Sequence, residues 1–220
     1  MNLLTMGRTG VRSPDYSSAD ALKKAFRALR DGTMSVADFT LVAALEGRVF
    51  TASLGSASSP ATFTGYNAVR PILVVDVPLA TTIIPLCIQG QIEDSAGTDN
   101  EVLAVLNNGN IGAATSTAIS SSTIHSNTSD KPNTTNCSVY SLYTADGAAA
   151  VNPVEFWRWG SAFADVNTVP PRVFKWHWRD YAPVVAKGAA AIVLHASATT
   201  TQMAGFLKIS WLELPTTALA

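Results

Sequence analysis

RVFKWHWRDYAP, residues 172–183, gathers two tryptophans, a histidine and three basic side chains, and EFWRWG, residues 155–160, adds two more tryptophans just upstream. Four of the five tryptophans in the chain therefore lie between Trp157 and Trp178. In a strand, alternate side chains point the same way. That puts Phe174, Trp176 and Trp178 on one face, with Lys175, His177 and Arg179 on the other. By the same rule Trp157, Trp159 and Phe163 share a face, and Phe156 and Arg158 lie opposite. A strand with one aromatic and one charged face belongs at the surface of a core, where each large ring buries roughly 150–250 Å². Trp157, Trp159, Phe174, Trp176, Trp178 and the more distant Trp211 are thus expected in the aromatic core of a sandwich or at a subunit interface. A sugar-stacking platform would also use tryptophans, but with carboxylates and amides alongside, and only Glu155 and Asp180 are near in sequence.

The texture around these two runs extends over most of the chain. From Arg48 onward, short stretches rich in Val, Ile, Thr and aromatics alternate with Gly, Pro, Asn and Asp, the pattern of an all-β domain. Strands are predicted near 48–54, 61–67, 71–77, 82–92, 100–106, 137–144, 154–163, 172–180, 189–198 and 206–213. Most prolines sit at the ends of these runs, where a missing N–H does least harm. Pro85 lies inside its run and implies an edge position or a bulge. Eight to ten strands without the Cys…Trp…Cys spacing of an immunoglobulin domain predict an antiparallel jelly-roll-like β-sandwich over 48–220. Residues 107–136 read as a long polar loop, of the kind a compact domain uses at a surface or interface.

Residues 1–47 read as an N-terminal arm. Leu22, Phe26 and Leu29 recur at helical spacing with Lys23, Lys24, Arg27 and Arg30 off the stripe, which predicts a short amphipathic helix over 18–30. Ser17 and Asp20 suit its start, and Gly32 its end. The next stretch, SVADFTLVAALEG (35–47), is open between helix and strand.

Charge separates the same two parts. Residues 1–30 carry six basic side chains (Arg8, Arg12, Lys23, Lys24, Arg27 and Arg30) against two acidic ones, a local +4. The whole chain is −1, so the remainder carries −5. The arm is expected to dock on something negative, first the body of a neighbouring copy and second a nucleic acid. Only 14% of residues are charged and 47% are apolar, a thin supply of charge for a free monomer and a common one where surfaces meet other subunits.

Nothing in the motifs predicts catalysis, a cofactor or a metal. There is no G-x-S-x-G, H-E-x-x-H or phosphate-binding glycine loop, and His125, His177 and His195 are scattered. Glu155 and Asp180 with His177 are the one set from which an enzyme of sandwich fold would have to draw. Glu93, Asp94, Asp99 and Glu101 crowd one turn and supply oxygen ligands suited to Ca²⁺, but without EF-hand spacing; a solvated turn is the simpler reading. Cys87 and Cys137 suit free thiols at least as well as a disulfide. The first residues lack the apolar segment of a secretory signal, and no apolar run approaches the roughly 20 residues of a membrane helix. The N-x-S/T matches at Asn127, Asn133 and Asn136 therefore read as polar loop.

GRTGVRSP (7–14), EGRVF (46–50) and the closing KGAAAIVLHASATTTQMAGFLKISWLELP (187–215) resemble structural proteins of bacteriophage virions. Those pair a basic N-terminal arm with a β-sandwich ending in a Thr-rich turn, Gly-Phe and Trp-x-Glu. Here these are Thr199–Thr201, Gly205–Phe206, and Trp211 with Glu213. The resemblance implies a non-enzymatic capsid or capsid-associated protein whose partners are copies of itself and other virion proteins. It would be assembled in the host cytoplasm and located in the virion. The alternative is a carbohydrate-binding or adhesin module of a phage tail or vertex, using the tryptophan strands or the 107–136 loop.

Overall fold

The computed structural model describes residues 27–28, 34–35, 38–56, 59–63, 66–95, 99–113, 117–119, 124–127, 133–162, 172–198 and 203–216. The chain divides into two compact units, Met1–Val42 and Ala43–Ala220.

In the first unit β1 (Arg27–Ala28) pairs antiparallel with β2 (Met34–Ser35), Arg27 opposite Ser35 and Ala28 opposite Met34. This corrects the end of the helix expected over 18–30. Arg27 and Ala28 are strand, and the rest of that helix lies outside the described residues. Asp31-Gly32, between the two strands, is among the strongest short-range hairpin signals, whereas an isolated short helix is marginal in water. The open stretch 35–47 resolves as helix α1 (Phe39–Leu45) after Ser35 in strand. Asp38 Oδ1 accepts the Thr40 N–H at 2.8 Å and caps the helix start. Gly47, at φ 71°, ends it, with the Gly47 and Arg48 N–H groups donating to the Ala44 and Ala43 carbonyls.

The second unit is built of β3 (Val49–Leu54), β4 (Ala61–Phe63), β5 (Leu73–Val77), β6 (Thr81–Ser95), β7 (Asp99–Asn107), β8 (Thr117–Ala118), β9 (Ile124–Ser126), β10 (Ser138–Ser141), β11 (Val154–Ala162), β12 (Arg172–His177), β13 (Ala186–Lys187), β14 (Ala190–Ala198) and β15 (Met203–Pro215). They form two antiparallel sheets packed as a sandwich. One has the order β11-β7-β14-β5-β10-β8; the other is β12-β6-β15-β3-β9, with β13 on β6 and β4 on β15. Eight of these strands (β3, β5, β6, β7, β11, β12, β14 and β15) can be numbered one to eight along the chain. The sheets then read 5-4-7-2 and 6-3-8-1, the interleaving of a jelly roll. The excursion 107–136 is not simply a loop. Its described parts include β8 on the edge of one sheet, against β10, and β9 on the edge of the other, against β3.

Strand periodicity places the core between the sheets. Along β15, Met203, Leu207 and Ile209 turn inward, while Phe206, Lys208 and Ser210 turn outward. The register shifts at Ser210/Trp211, where Trp211 stands opposite Pro85. Pro85 is thus at a bulge of a central strand, a place where its missing N–H is tolerated. Gly90 on β6 has no room for a side chain: an added Cβ would lie 2.4 Å from Phe174 Cζ and 2.3 Å from the Phe206 carbonyl oxygen.

Both outer faces are partly covered. Over the β12-β6-β15-β3 sheet, Ala43 and Ala44 of α1 pack on Val49, Ile84, Leu86, Leu212 and Leu214. Over the other sheet, Ile111 and Tyr143 pack on Val74, Ala191 and Val193. The buried Asp76 carboxylate anchors that cover by accepting the Ile111 and Gly112 N–H groups at 2.9 and 2.8 Å. Burial raises its pKa, and these two bonds oppose the rise.

Candidate functional site

The tryptophans that raised the question of a platform face the sandwich interior. Trp157, Trp176 and Trp211 are buried with Phe174, and Trp159 and Trp178 are half-buried against the same cluster. Trp159 and Trp157 lie 5.3 and 6.1 Å from Phe174, ring to ring. One facing is corrected. Phe156 is not opposite the aromatic face but meets Trp176 edge-on at 5.4 Å, because the register of β11 on β7 shifts between Glu155 and Trp157. Phe163 lies outside the described residues. So do Arg8, Arg12, Leu22, Lys23, Lys24, Phe26, Leu29 and Arg30 of the arm, and only the strand pairing of Arg27 is described.

The set offered for an enzyme is not brought together. Glu155 is on β11 in one sheet, while His177 ends β12 in the other and Asp180 lies in the turn after it. Of the acidic turn, Glu93 is exposed and Glu101 pairs with Arg158, and the side chains of Asp94 and Asp99 lie outside the described residues. No group of three or more His, Cys, Asp or Glu able to hold a metal occurs among the described residues. Both cysteines are free thiols. Burial and the Glu213 carboxylate push the Cys137 thiol pKa well up, so it behaves as an inert apolar group. Among the described residues, no helix is long and apolar enough to cross a membrane.

Sequence reading missed three features. First, the asparagines of the polar excursion are structural. The Thr51 hydroxyl donates to Asn127, Asn133 donates to the Gly47 carbonyl, and Asn136 donates twice to Glu213. Glu213 is buried and also accepts the Trp211 Nε1–H at 3.0 Å and the Thr135 hydroxyl. The Trp-x-Glu pattern thus ties the last strand to the segment that leads into β10.

Second, one end of the sandwich is apolar. The turn after β5, the segment before β11 and the connection from β12 to β14 all leave this end, as the pairing of Val77 with Ala190 and of Leu106 with Val154 requires. They expose Leu79, Val151, Val154, Tyr181 and Val185, with Leu79 78% accessible. The stretches 77–81, 147–154 and 181–186 contain no charged residue.

Third, a cleft of about 450 Å³ opens on the outer face of the β11-β7-β14 strands. His195, Leu103 and Arg158 form one cross-strand row, and Glu101, Val105, Glu155, Pro153 and Tyr66 complete the lining. Arg158 donates twice to Glu155, at 2.9 and 2.7 Å, and once to Glu101, at 3.0 Å. Those hydrogen bonds lower the Glu155 pKa. His195 is only 6% exposed. Burial pushes its pKa down to about 4, although a bond to the Asn67 backbone works the other way. A histidine whose folded pKa lies below its unfolded value adds stability above the unfolded pKa, and that stability is lost as pH falls through the folded one. Urea titrations of the wild type should therefore lose up to about 3 kcal/mol between pH 6.5 and about pH 4 on account of this group. In His195→Gln that part of the slope should vanish, and an unchanged slope would assign the acid sensitivity elsewhere.

No protein-family model matches the chain, and no significant match to a curated protein or a solved structure is found.

Proposed function

We propose that the protein is a non-enzymatic structural subunit of a virus particle, a capsid or capsid-associated protein of phage type that assembles with copies of itself and other virion proteins. The observation that carries this reading is the set of exposed apolar side chains, Leu79, Val151, Val154, Tyr181 and Val185, at one end of a jelly-roll sandwich. Jelly rolls serve capsids, lectins and cupins alike, so the fold alone does not choose among them. Contiguous exposed apolar side chains mark an interaction surface. Leu79, Val151, Val154, Tyr181 and Val185 project from three separate connections at one end, and a second copy of this chain is the occupant proposed. The basic stretch 1–30 supports a second contact, with the acidic remainder of a neighbour before any nucleic acid. The sequence likeness to phage structural proteins supports the setting.

The test is light scattering and electron microscopy of the full chain at tens of micromolar. Assemblies larger than a monomer are expected. Covering one exposed Leu or Val contributes roughly 1.5–3 kcal/mol. The double variant Leu79→Glu/Val154→Glu should therefore shift the distribution to monomer while leaving the melting temperature of the subunit unchanged. A wild type that stays monomeric, or a double variant that assembles as before, would refute the apolar end as the contact.

A further inference from the structure

We infer that the cleft on the β11-β7-β14 face is a saccharide-binding site that takes a neutral sugar of about two rings. The site adjoins the assembly surface at Pro153 and Glu155, on either side of Val154, but does not depend on the assembly reading. Its dimensions come from the sheet. His195 and Arg158 stand on strands two apart, with Leu103 between them. Strands lie about 4.8 Å apart, so the two polar ends of the row are separated by about 10 Å. The volume of about 450 Å³ falls in the range of small-ligand sites.

The chemistry selects the ligand. Leu103 and Val105 make an apolar floor between the polar ends, and the half-exposed Tyr66 ring stands beside His195 at 5.3 Å between centroids. At one end His195 donates to the Asn67 backbone, and its Nδ1, shielded from solvent, has no hydrogen-bond partner among the described residues. With the other nitrogen carrying the proton, Nδ1 is an acceptor. An unpartnered buried acceptor costs stability that a ligand hydroxyl recovers on binding. At the other end Arg158 presents donors beside the acceptors of Glu101 and Glu155. One cation against two carboxylates disfavours an anion. Donors and acceptors side by side suit vicinal hydroxyls, which do both at once, whereas an amine meets only the acceptors. The Tyr66 ring supplies a flat surface for the C–H face of a pyranose. For a hydroxyl to reach Nδ1, the Tyr66 ring must swing outward, which its exposure permits.

The experiment is saturation-transfer NMR and calorimetry on the full chain with maltose, cellobiose, lactose and N,N′-diacetylchitobiose, each at millimolar concentration, and with spermidine as the cationic competitor. At least one disaccharide is expected to bind, with its ring protons saturated from the aromatic envelope. His195→Phe, which keeps a ring but lacks Nδ1, should weaken that binding about tenfold, the equivalent of one hydrogen bond. Tyr66→Ala, at an exposed position, should weaken it as much and serves if His195→Phe proves unstable. Val173→Ala, on the outer face of the other sheet, should leave it unchanged. No binding by any of the four sugars, tighter binding of spermidine, or sugar binding that survives both cleft variants would each overturn the proposal.

Discussion

Truncating Trp176 or Trp211 to Ala is expected to cost about 3–5 kcal/mol, the usual range for a fully buried aromatic, and thus a large part of the 5–15 kcal/mol that stabilises a typical domain. Both side chains are wholly buried. Trp176 meets Phe156 edge-on and stacks on Tyr181 at 6.3 Å, and Trp211 packs on Phe50 at 6.1 Å. Their indole N–H groups separate the two. Trp211 Nε1 donates to Glu213, whereas Trp176 Nε1 has no partner among the described residues. Replacement by Phe should therefore discriminate. Trp176→Phe removes an unsatisfied buried donor along with some apolar area, so the two effects offset. Trp211→Phe removes a charge-assisted bond as well, adding roughly 1.5–3 kcal/mol. Chemical denaturation of the two Phe variants should rank Trp211→Phe as clearly the more damaging. Equal losses would mean that the Glu213 bond contributes nothing net. If Trp→Ala variants of either kept wild-type melting, the inward placement of the aromatic faces would be wrong.

The second large effect is expected at Glu213. Its carboxylate accepts from Trp211 Nε1, from the backbone and side-chain amides of Asn136, and from the Thr135 hydroxyl. Glu213→Ala leaves the buried indole N–H and the Asn136 N–H without an acceptor and opens space beside Cys137. A loss of about 3–5 kcal/mol follows from two or three such orphaned donors, or a fall in Tm of roughly 10 °C for a domain of this size. The variant should also become cleavable at 133–137 by a protease of broad specificity such as proteinase K, since the carboxylate holds this segment to β15 in the wild type. Glu213→Gln tests the charge alone. Its amide can keep one oxygen acceptor but turns a donor toward the other N–H groups, so an intermediate loss is expected. A Glu213→Ala protein with wild-type melting and protease resistance would show that the polar excursion is held by Asn127 and Asn133 instead.

Much of the fold was legible because strands announce themselves locally. Runs rich in Val, Thr and aromatics, such as VFTASL, LVVDV and RVFKWH, with breakers between them, sufficed to find them, and of the edge position or bulge that Pro85 implied, the pairing with Trp211 contains the bulge. Two of the departures have clear physical causes. Leu22, Phe26 and Leu29 recur at helical spacing, yet Arg27 and Ala28 at the end of that stripe pair as strand with Ser35 and Met34. Phe156 joined the core because a register shift in β11 breaks strict alternation, and bulges leave little trace in composition.

The amino-acid sequence by itself determined where most of the long strands after Arg48 run, that β12 carries an aromatic face, and that charge is sparse, with a basic excess at the N-terminus. Those properties depend on neighbours one to four residues away. Only the tertiary structure decided which strands pair, that three connections bring Leu79, Val154 and Tyr181 to one end, and that His195, Glu101, Glu155 and Arg158 line one cleft. Glu155 had been set beside Asp180 and His177, but jelly-roll interleaving sends β11 and β12 to opposite sheets and seats β7 next to β11, with β14 on the far side of β7. Side-chain periodicity dictates which way a residue faces within its strand. The partner strand is chosen by burying both apolar faces at once, a condition on the whole chain that no local stretch contains.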